Sequence, residues 1–122
     1  MTAQSIDGSK IVADLRTTVA GEVAAARVEL TRVLPVVEAL TACGILVSID
    51  TMRAEVARAA VAAGAGRVND VSGGLADPGM APCVAELGVP YVAMHWRAHS
   101  RHLQEHAAYG DVAIRIAAAW TG

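Results

Sequence analysis

Lysine occurs once in this chain, at Lys10, phenylalanine is absent, and aromatic residues make up only 3%. An aldolase that works through a Schiff base on a barrel needs a lysine at a strand end. Lys10 lies outside every strand candidate, which all but excludes that class. Two cysteines, Cys43 and Cys83, are too few and too far apart for a disulfide framework or a zinc site. Both sit in apolar helical contexts and read as core thiols in a reducing compartment. No apolar run approaches the roughly 18 residues that a membrane helix requires, and Met1 to Lys10 lacks the basic start and apolar stretch of a signal peptide. The expected location is the cytoplasm, with no membrane partner. Net charge is −2, from ten basic and twelve acidic residues. Without a basic stripe and with few aromatics, nucleic-acid binding has no electrostatic support.

What the chain does have is aliphatic. Hydrophobic residues make up 54% of its 122 residues, much of that alanine, which suits helices packed closely on a sheet. That length predicts one domain with a real core. Met1 to Gly21 carries the weakest pattern: Ile11, Val12 and Leu15 suit a short strand or helix, and Thr17-Thr18 with Gly21 suggests a loop. From Glu22 to Ala42, Leu30, Val33, Leu34, Val37 and Leu40 recur at helical spacing. Pro35 should kink or divide that helix, and Cys43-Gly44 should end it. Ile45 to Ile49 reads as a parallel strand buried on both faces. A helix over Met52 to Ala63 follows, stopped by Gly64, and then a strand from Arg67 to Val71. Asp77-Pro78 predicts a helix start with aspartate as N-cap. Met80, Cys83, Val84 and Leu87 give its buried stripe, and Gly88 its stop. Val89 to Met94 is a third strand. A last helical pattern uses Val112, Ile116, Ala119 and Trp120. This alternation predicts an α/β fold of parallel βα repeats with right-handed crossovers.

Three phrases about twenty residues apart carry the chemistry: Val47-Ser48-Ile49-Asp50-Thr51, Val68-Asn69-Asp70-Val71-Ser72-Gly73-Gly74 and Tyr91-Val92-Ala93-Met94-His95-Trp96. Each is a β-type run that ends in polar groups. In (β/α) architectures the carboxyl ends of strands face the active site, so Asp50, Asn69 and His95 should meet at one sheet edge. A carboxylate beside an amide can read a heterocycle that displays both donors and acceptors. Asp50 and Asp70 also suit helix capping. His95 reads as a pocket wall with a largely structural role; Met94 suits an apolar wall or the core.

Other features are weaker. His102 and His106 stand four apart with His99 three before His102, but no cysteine or carboxylate set completes a metal site beyond the adjacent Glu105, and a solvated helix face explains them. Gly73-Gly74 alone is slight support for a phosphate loop. No nucleotide fingerprint or nucleophile elbow occurs.

Taken in register, Ser48-Ile49-Asp50-Thr51, Asn69-Asp70-Val71-Ser72-Gly73-Gly74 and Met94-His95-Trp96-Arg97 resemble the dihydropteroate synthase family. Thr31-Arg32-Val33-Leu34-Pro35-Val36-Val37 resembles that family's proline-containing second helix. The resemblance runs from about Glu29 to Asp111, leaving residues 1–28 poorly matched and 112–122 divergent within one partial domain over 1–122. It implies a TIM barrel, present here as a half barrel, that joins 4-aminobenzoate to a dihydropterin methyl diphosphate and releases diphosphate. It also implies that Asp50 and Asn69 hydrogen-bond the pterin and that Val71 and Met94 line the pocket. Asp50 is the candidate catalytic group, as an anion beside positive charge developing on the pterin methylene. A pterin-dependent methyltransferase domain shares the Asp and Asn strand ends, but the Met94-His95-Trp96 phrase ranks it lower.

The departures are equally specific. Family members hold Mg2+ against the diphosphate through an asparagine on a first strand, and nothing here matches that element. The glycine-rich Ser-Thr-Arg-Pro-Gly stretch is degraded, so that Thr18, within Thr17-Thr18-Val19-Ala20-Gly21, is the candidate for the diphosphate-contacting threonine. A second pterin-binding aspartate, a substrate lysine and a terminal Arg-His pair have no counterparts. The chain is therefore expected to be a partial form, inactive alone. A non-catalytic pterin-binding or interaction fragment is the alternative. Open sheet edges predict a homo-oligomer or self-association.

Overall fold

The computed structural model describes residues 8–96, 98 and 102–106. Helix α1 (Gly8–Ala42) leads to strand β1 (Ser48–Asp50), helix α2 (Ala54–Ala62), strand β2 (Arg67–Asp70), helix α3 (Met80–Leu87) and strand β3 (Tyr91–Ala93). A 3₁₀ turn, Leu103–His106, follows. The sheet is parallel in the order β1-β2-β3, with Ile49 opposite Val68 and Asp50 opposite Asn69. Asn69 in turn faces Val92 on β3. When the strand order never reverses, right-handed crossovers put every helix on one side of the sheet. Burial agrees. Ile49 and Val68 are buried on the helix side, whereas Ser48, Asp50 and Arg67 of the same strands are exposed. The fold is thus a run of βα units from a partial barrel, with the concave face bare.

The core is small and aliphatic: Val37 of α1, Ile49, Ala57, Ala60, Ala65, Val68, Met80 and Val84 form one cluster. Alanines at 57 and 60 let α2 lie close to the sheet, and Val56 and Met80 are fully buried beside them. Each such aliphatic side chain contributes about 1.5–3 kcal/mol on burial. The Cys83 thiol donates to the Ala54 carbonyl at 3.4 Å and ties α3 to α2. Gly88 ends α3 in the left-handed conformation, as its place in the sequence predicts.

Several expectations are corrected. Thr17, Thr18 and Gly21 do not form a loop; α1 runs through them without a break. The Thr17 and Thr18 hydroxyls turn back onto the Ala13 and Asp14 carbonyls at 3.1 and 3.0 Å, a bonding pattern that lets threonine sit inside a helix. Nor does Pro35 divide the helix. It removes one N–H donor, and the turn beyond it is held in place because Val37 is in the core. The first strand is not buried on both faces, since Ile45 and Leu46 are 50% and 78% exposed. A lone partial sheet has only one covered face. Cys43 is exposed rather than a core thiol, whereas Cys83 is buried. Arg97, His99 and the helical pattern over 112–120 lie outside the described residues.

Asp77 is the most instructive correction. Helix α3 begins at Met80 with Gly79 as its N-cap and no side-chain cap. The Asp77 carboxylate instead accepts from the backbone N–H of Ala54, the first residue of α2, at 2.8 Å, and from that of Gly79 at 2.8 Å. It caps a helix more than twenty residues upstream.

Candidate functional site

Residues paired across a parallel sheet point to the same face. The register Asp50–Asn69–Val92 therefore lays a carboxylate, an amide and an apolar side chain in a row on the face without helices. Asn69 Nδ2 donates to Asp50 Oδ2 at 3.0 Å. The pair is side by side because Ile49 and Val68, one residue earlier on each strand, are both locked into the core. Asp50 is exposed and Asn69 half-buried. With one oxygen of Asp50 and one N–H of Asn69 committed to each other, the second carboxylate oxygen, the amide oxygen and the other N–H form a short donor–acceptor array.

The rest of the rim follows from the ends of β2 and β3. Met94 N donates to the Asp70 carbonyl at 3.1 Å, carrying the β2–β3 ladder one residue beyond the strand. Met94 is 49% exposed, and it shares the face of Val92, two residues before it. Val71, His95 and Trp96 are half-buried around the same end. A flat ligand over this row would meet hydrogen-bonding groups on β1 and β2 and an apolar wall on β3.

Beneath the rim lies a cluster that sequence reasoning missed. The Asp70 side chain, on the helix side, is fully buried. Its Oδ1 accepts from Ser72 N at 2.8 Å and Ser72 Oγ at 2.7 Å. Its Oδ2 accepts from Gly74 N and from the Tyr91 hydroxyl, both at 2.8 Å. A buried carboxylate requires such donors. Burial first, and next the hydrogen bond to Asp70, push the Tyr91 hydroxyl above its ordinary pKa. An Asp followed by Ser at i+2 and Gly at i+4 is a side-chain-to-backbone turn signature that the sequence does contain.

A second network fixes the other flank. Thr51 Oγ1 donates to Glu29 Oε1 at 2.6 Å, and Arg53 Nη1 bonds Glu29 Oε2. This moors the middle of α1 against the β1 exit, and no local pattern announces it. It also places Thr18. Eleven residues before Glu29 on a continuous helix, Thr18 is displaced about 16 Å along the axis, and its hydroxyl is engaged by the Asp14 carbonyl. The structure does not bring Thr18 to the strand ends. A cleft of about 450 Å³, lined by residues including Glu22, Ala26, Met52, Arg53 and Asp77, lies between α1 and α2 and does not include the Asp50–Asn69 pair.

Among the described residues, no group of three or more His, Cys, Asp or Glu is placed to hold a metal ion. His102 Nδ1 lies 3.3 Å from Glu105 on an exposed turn. The donor set at the strand ends, one carboxylate and one amide already bonded to each other, does not fit a magnesium site. No helix among the described residues is long and apolar enough to cross a membrane.

The chain is similar to known proteins over most of its length. The profile of the family described as pterin binding enzyme matches residues 5–121, a wider span than the motifs themselves. A dihydropteroate synthase of Mycobacterium leprae is 59% identical over 93 residues, which are 75% of this chain and 33% of that one. A solved dihydropteroate synthase from Xanthomonas albilineans in complex with 7,8-dihydropteroate is similar with TM-score 0.62 and 44% identity, over 72% of this chain and 30% of that one. The same organism's enzyme with 4-aminobenzoic acid is similar with TM-score 0.57 and 45% identity, over 66% of this chain and 34% of that one. The chain spans about a third of the length of these relatives.

Proposed function

This chain belongs to the pterin binding enzyme family, and from that premise we propose that its three strand ends form the pterin-reading floor of a dihydropteroate synthase site. The observation that carries the reading is the Asn69–Asp50 hydrogen bond of 3.0 Å on the bare face of the sheet. A pterin edge alternates N–H donors with ring-nitrogen and carbonyl acceptors, and the Asp50–Asn69 pair offers the complementary alternation. Val71 and Met94 supply the apolar walls. Thr18 is not a diphosphate contact in this site, because its hydroxyl is engaged within α1.

In the reaction, the aminobenzoate nitrogen forms a bond to the pterin methylene while the methylene–oxygen bond breaks. Diphosphate leaves with the electron pair, and the nitrogen loses a proton. Positive charge accumulates on the methylene before the new bond is complete. An anion held close by, here Asp50, stabilises that charge, and its effect is largest where water is excluded. Asn69 orients Asp50 and reads the ring.

The bare face of this chain is open to water, and Thr18, the candidate diphosphate contact, is turned onto the Asp14 carbonyl. Losing one preorganised contact of this kind costs about 10²–10³ in rate. The chain alone should therefore bind a pterin and form no dihydropteroate. Calorimetric or fluorescence titration with 6-hydroxymethylpterin tests the first half: binding should saturate at one site and be abolished by Asp50→Ala or Asn69→Ala. Binding that survives both substitutions, or dihydropteroate made by the chain alone, overturns the reading. The exposed Leu46 and Leu75 and the unpaired edges of the described sheet favour a second reading, a non-catalytic interaction unit. Complete absence of pterin binding would support it.

A further inference from the structure

Among the described residues, Asp70 is the one charged residue with no exposed surface. It lies between two groups assigned to the ligand face, Asn69 and Val71, yet its own side chain points the other way, into the helix layer. Its hydrogen bonds reach three separate places. They hold the turn after β2 through Ser72 N, Ser72 Oγ and Gly74 N, and the start of β3 through the Tyr91 hydroxyl. The Asp70 carbonyl holds the end of β3 through Met94 N at 3.1 Å, and it also accepts from Gly73 N at 3.1 Å. The turn is pressed onto that end as well: a Cβ at Gly73 would stand 2.8 Å from the Met94 carbonyl oxygen.

We propose that Asp70 is a positioning residue for the pterin site, clamping the β2 exit to both ends of β3 so that Asn69 and Met94 keep a fixed spacing across the ligand face. The inference rests on the pterin reading above for its ligand, though the clamp itself is a property of the free protein. Stability alone does not account for a carboxylate here. A well-packed apolar side chain at a buried site serves stability as well as or better than an ion, and Val68 on the same strand shows that this layer accepts one. What the carboxylate adds is direction, because four donors fix both the turn and Tyr91 relative to one rigid group. Asp70 touches no ligand itself. Alternation of side chains along β2 turns this anchoring into placement: fixing residue 70 on the helix side sets the height of Asn69 on the other.

Tyr91→Phe tests the clamp in the full chain. It keeps the ring and deletes one of the four donors, and Ser72→Ala is the parallel variant should Tyr91→Phe fold poorly. The first readout needs no ligand: the Asn69 side-chain amide and the Met94 methyl resonances. Both should shift or broaden. Thr41→Ala, which removes the hydrogen bond to the Ala63 carbonyl at the opposite end of the strands, should leave them in place. The second readout is the 6-hydroxymethylpterin titration, where Tyr91→Phe should weaken Kd about tenfold, the scale of one ordered polar contact. Unmoved Asn69 and Met94 signals overturn the proposal, as do equal shifts in Thr41→Ala, which would mark a general loosening. If the unaltered chain binds no pterin, the pterin reading fails, and the ligand-free spectra still decide whether the clamp exists.

Discussion

Gly73→Ala and Gly88→Ala, compared side by side, isolate the contact between the β2 turn and β3. Both glycines are in the left-handed region, at φ 61° and 65°. Either substitution incurs the cost of placing a Cβ there, roughly 1–2 kcal/mol, less a few tenths for the stiffer unfolded chain. Their surroundings differ. Nothing lies within 4 Å of a Cβ at Gly88, whereas at Gly73 it would meet the Met94 carbonyl oxygen at 2.8 Å. A carbon and an oxygen in close contact prefer about 3.3–3.6 Å, so the turn must withdraw by roughly 0.5 Å or more. That turn carries Ser72 N and Gly74 N, each 2.8 Å from Asp70. A shift of that size weakens at least one hydrogen bond to a buried carboxylate, a further ~1–3 kcal/mol. Gly88→Ala should therefore lose about 1 kcal/mol and Gly73→Ala about 2–4 kcal/mol. With a urea m-value of about 1–3 kcal/mol/M, the two midpoints should differ by roughly 1 M. Circular dichroism followed through urea unfolding at low protein concentration measures this. Equal losses in the two variants, within about 0.5 kcal/mol, would show that the turn does not bear on β3, and the geometry argued for the site would fall with it.

Three further outcomes are expected. Asp77→Ala removes the acceptor of the first α2 N–H and should cost about 1–2 kcal/mol, the usual value of a lost cap; a change below a few tenths in the same unfolding experiment would mean that water replaces it freely. Because the folded chain raises the Tyr91 pKa, its contribution to stability is complete below the unfolded value near 10 and declines as pH rises above it. Ultraviolet titration should find one tyrosine ionising at higher pH than the free amino acid, and Asp70→Asn should change that midpoint; a normal titration for both tyrosines contradicts the bond. Self-association is also expected. Each outer strand has one edge unpaired within the described sheet, and Leu46, Leu75 and the α1 residues Leu15 and Val19 are more than half exposed. Light scattering that shows a stable monomer at micromolar concentration would refute it.

Which parts of this were legible beforehand follows from the range of the interactions. The three strands, their parallel order and the stops at Gly44, Gly64 and Gly88 are local: periodicity and backbone freedom specify them over a few residues. So is the convergence of Asp50 and Asn69, because two strands of like length leaving a common core end at a common edge. The first helix misled because threonine and glycine weaken a helix by small amounts, and the alanine-rich stretch around them outweighs that. The exposure of Leu46 and Cys43 depended on how much of the sheet is covered, which no window of sequence contains.

By itself, then, the sequence determined the repeat, the polar strand ends and the family, since each is written in short patterns. Tertiary structure alone decided the partners. Asp77 reaches back 23 residues to Ala54, Thr51 reaches back 22 to Glu29, and Asp70 spans 21 to Tyr91. A side chain's chemistry says what it can bond, and only the crossing of the chain over itself puts a particular donor within 3 Å of it.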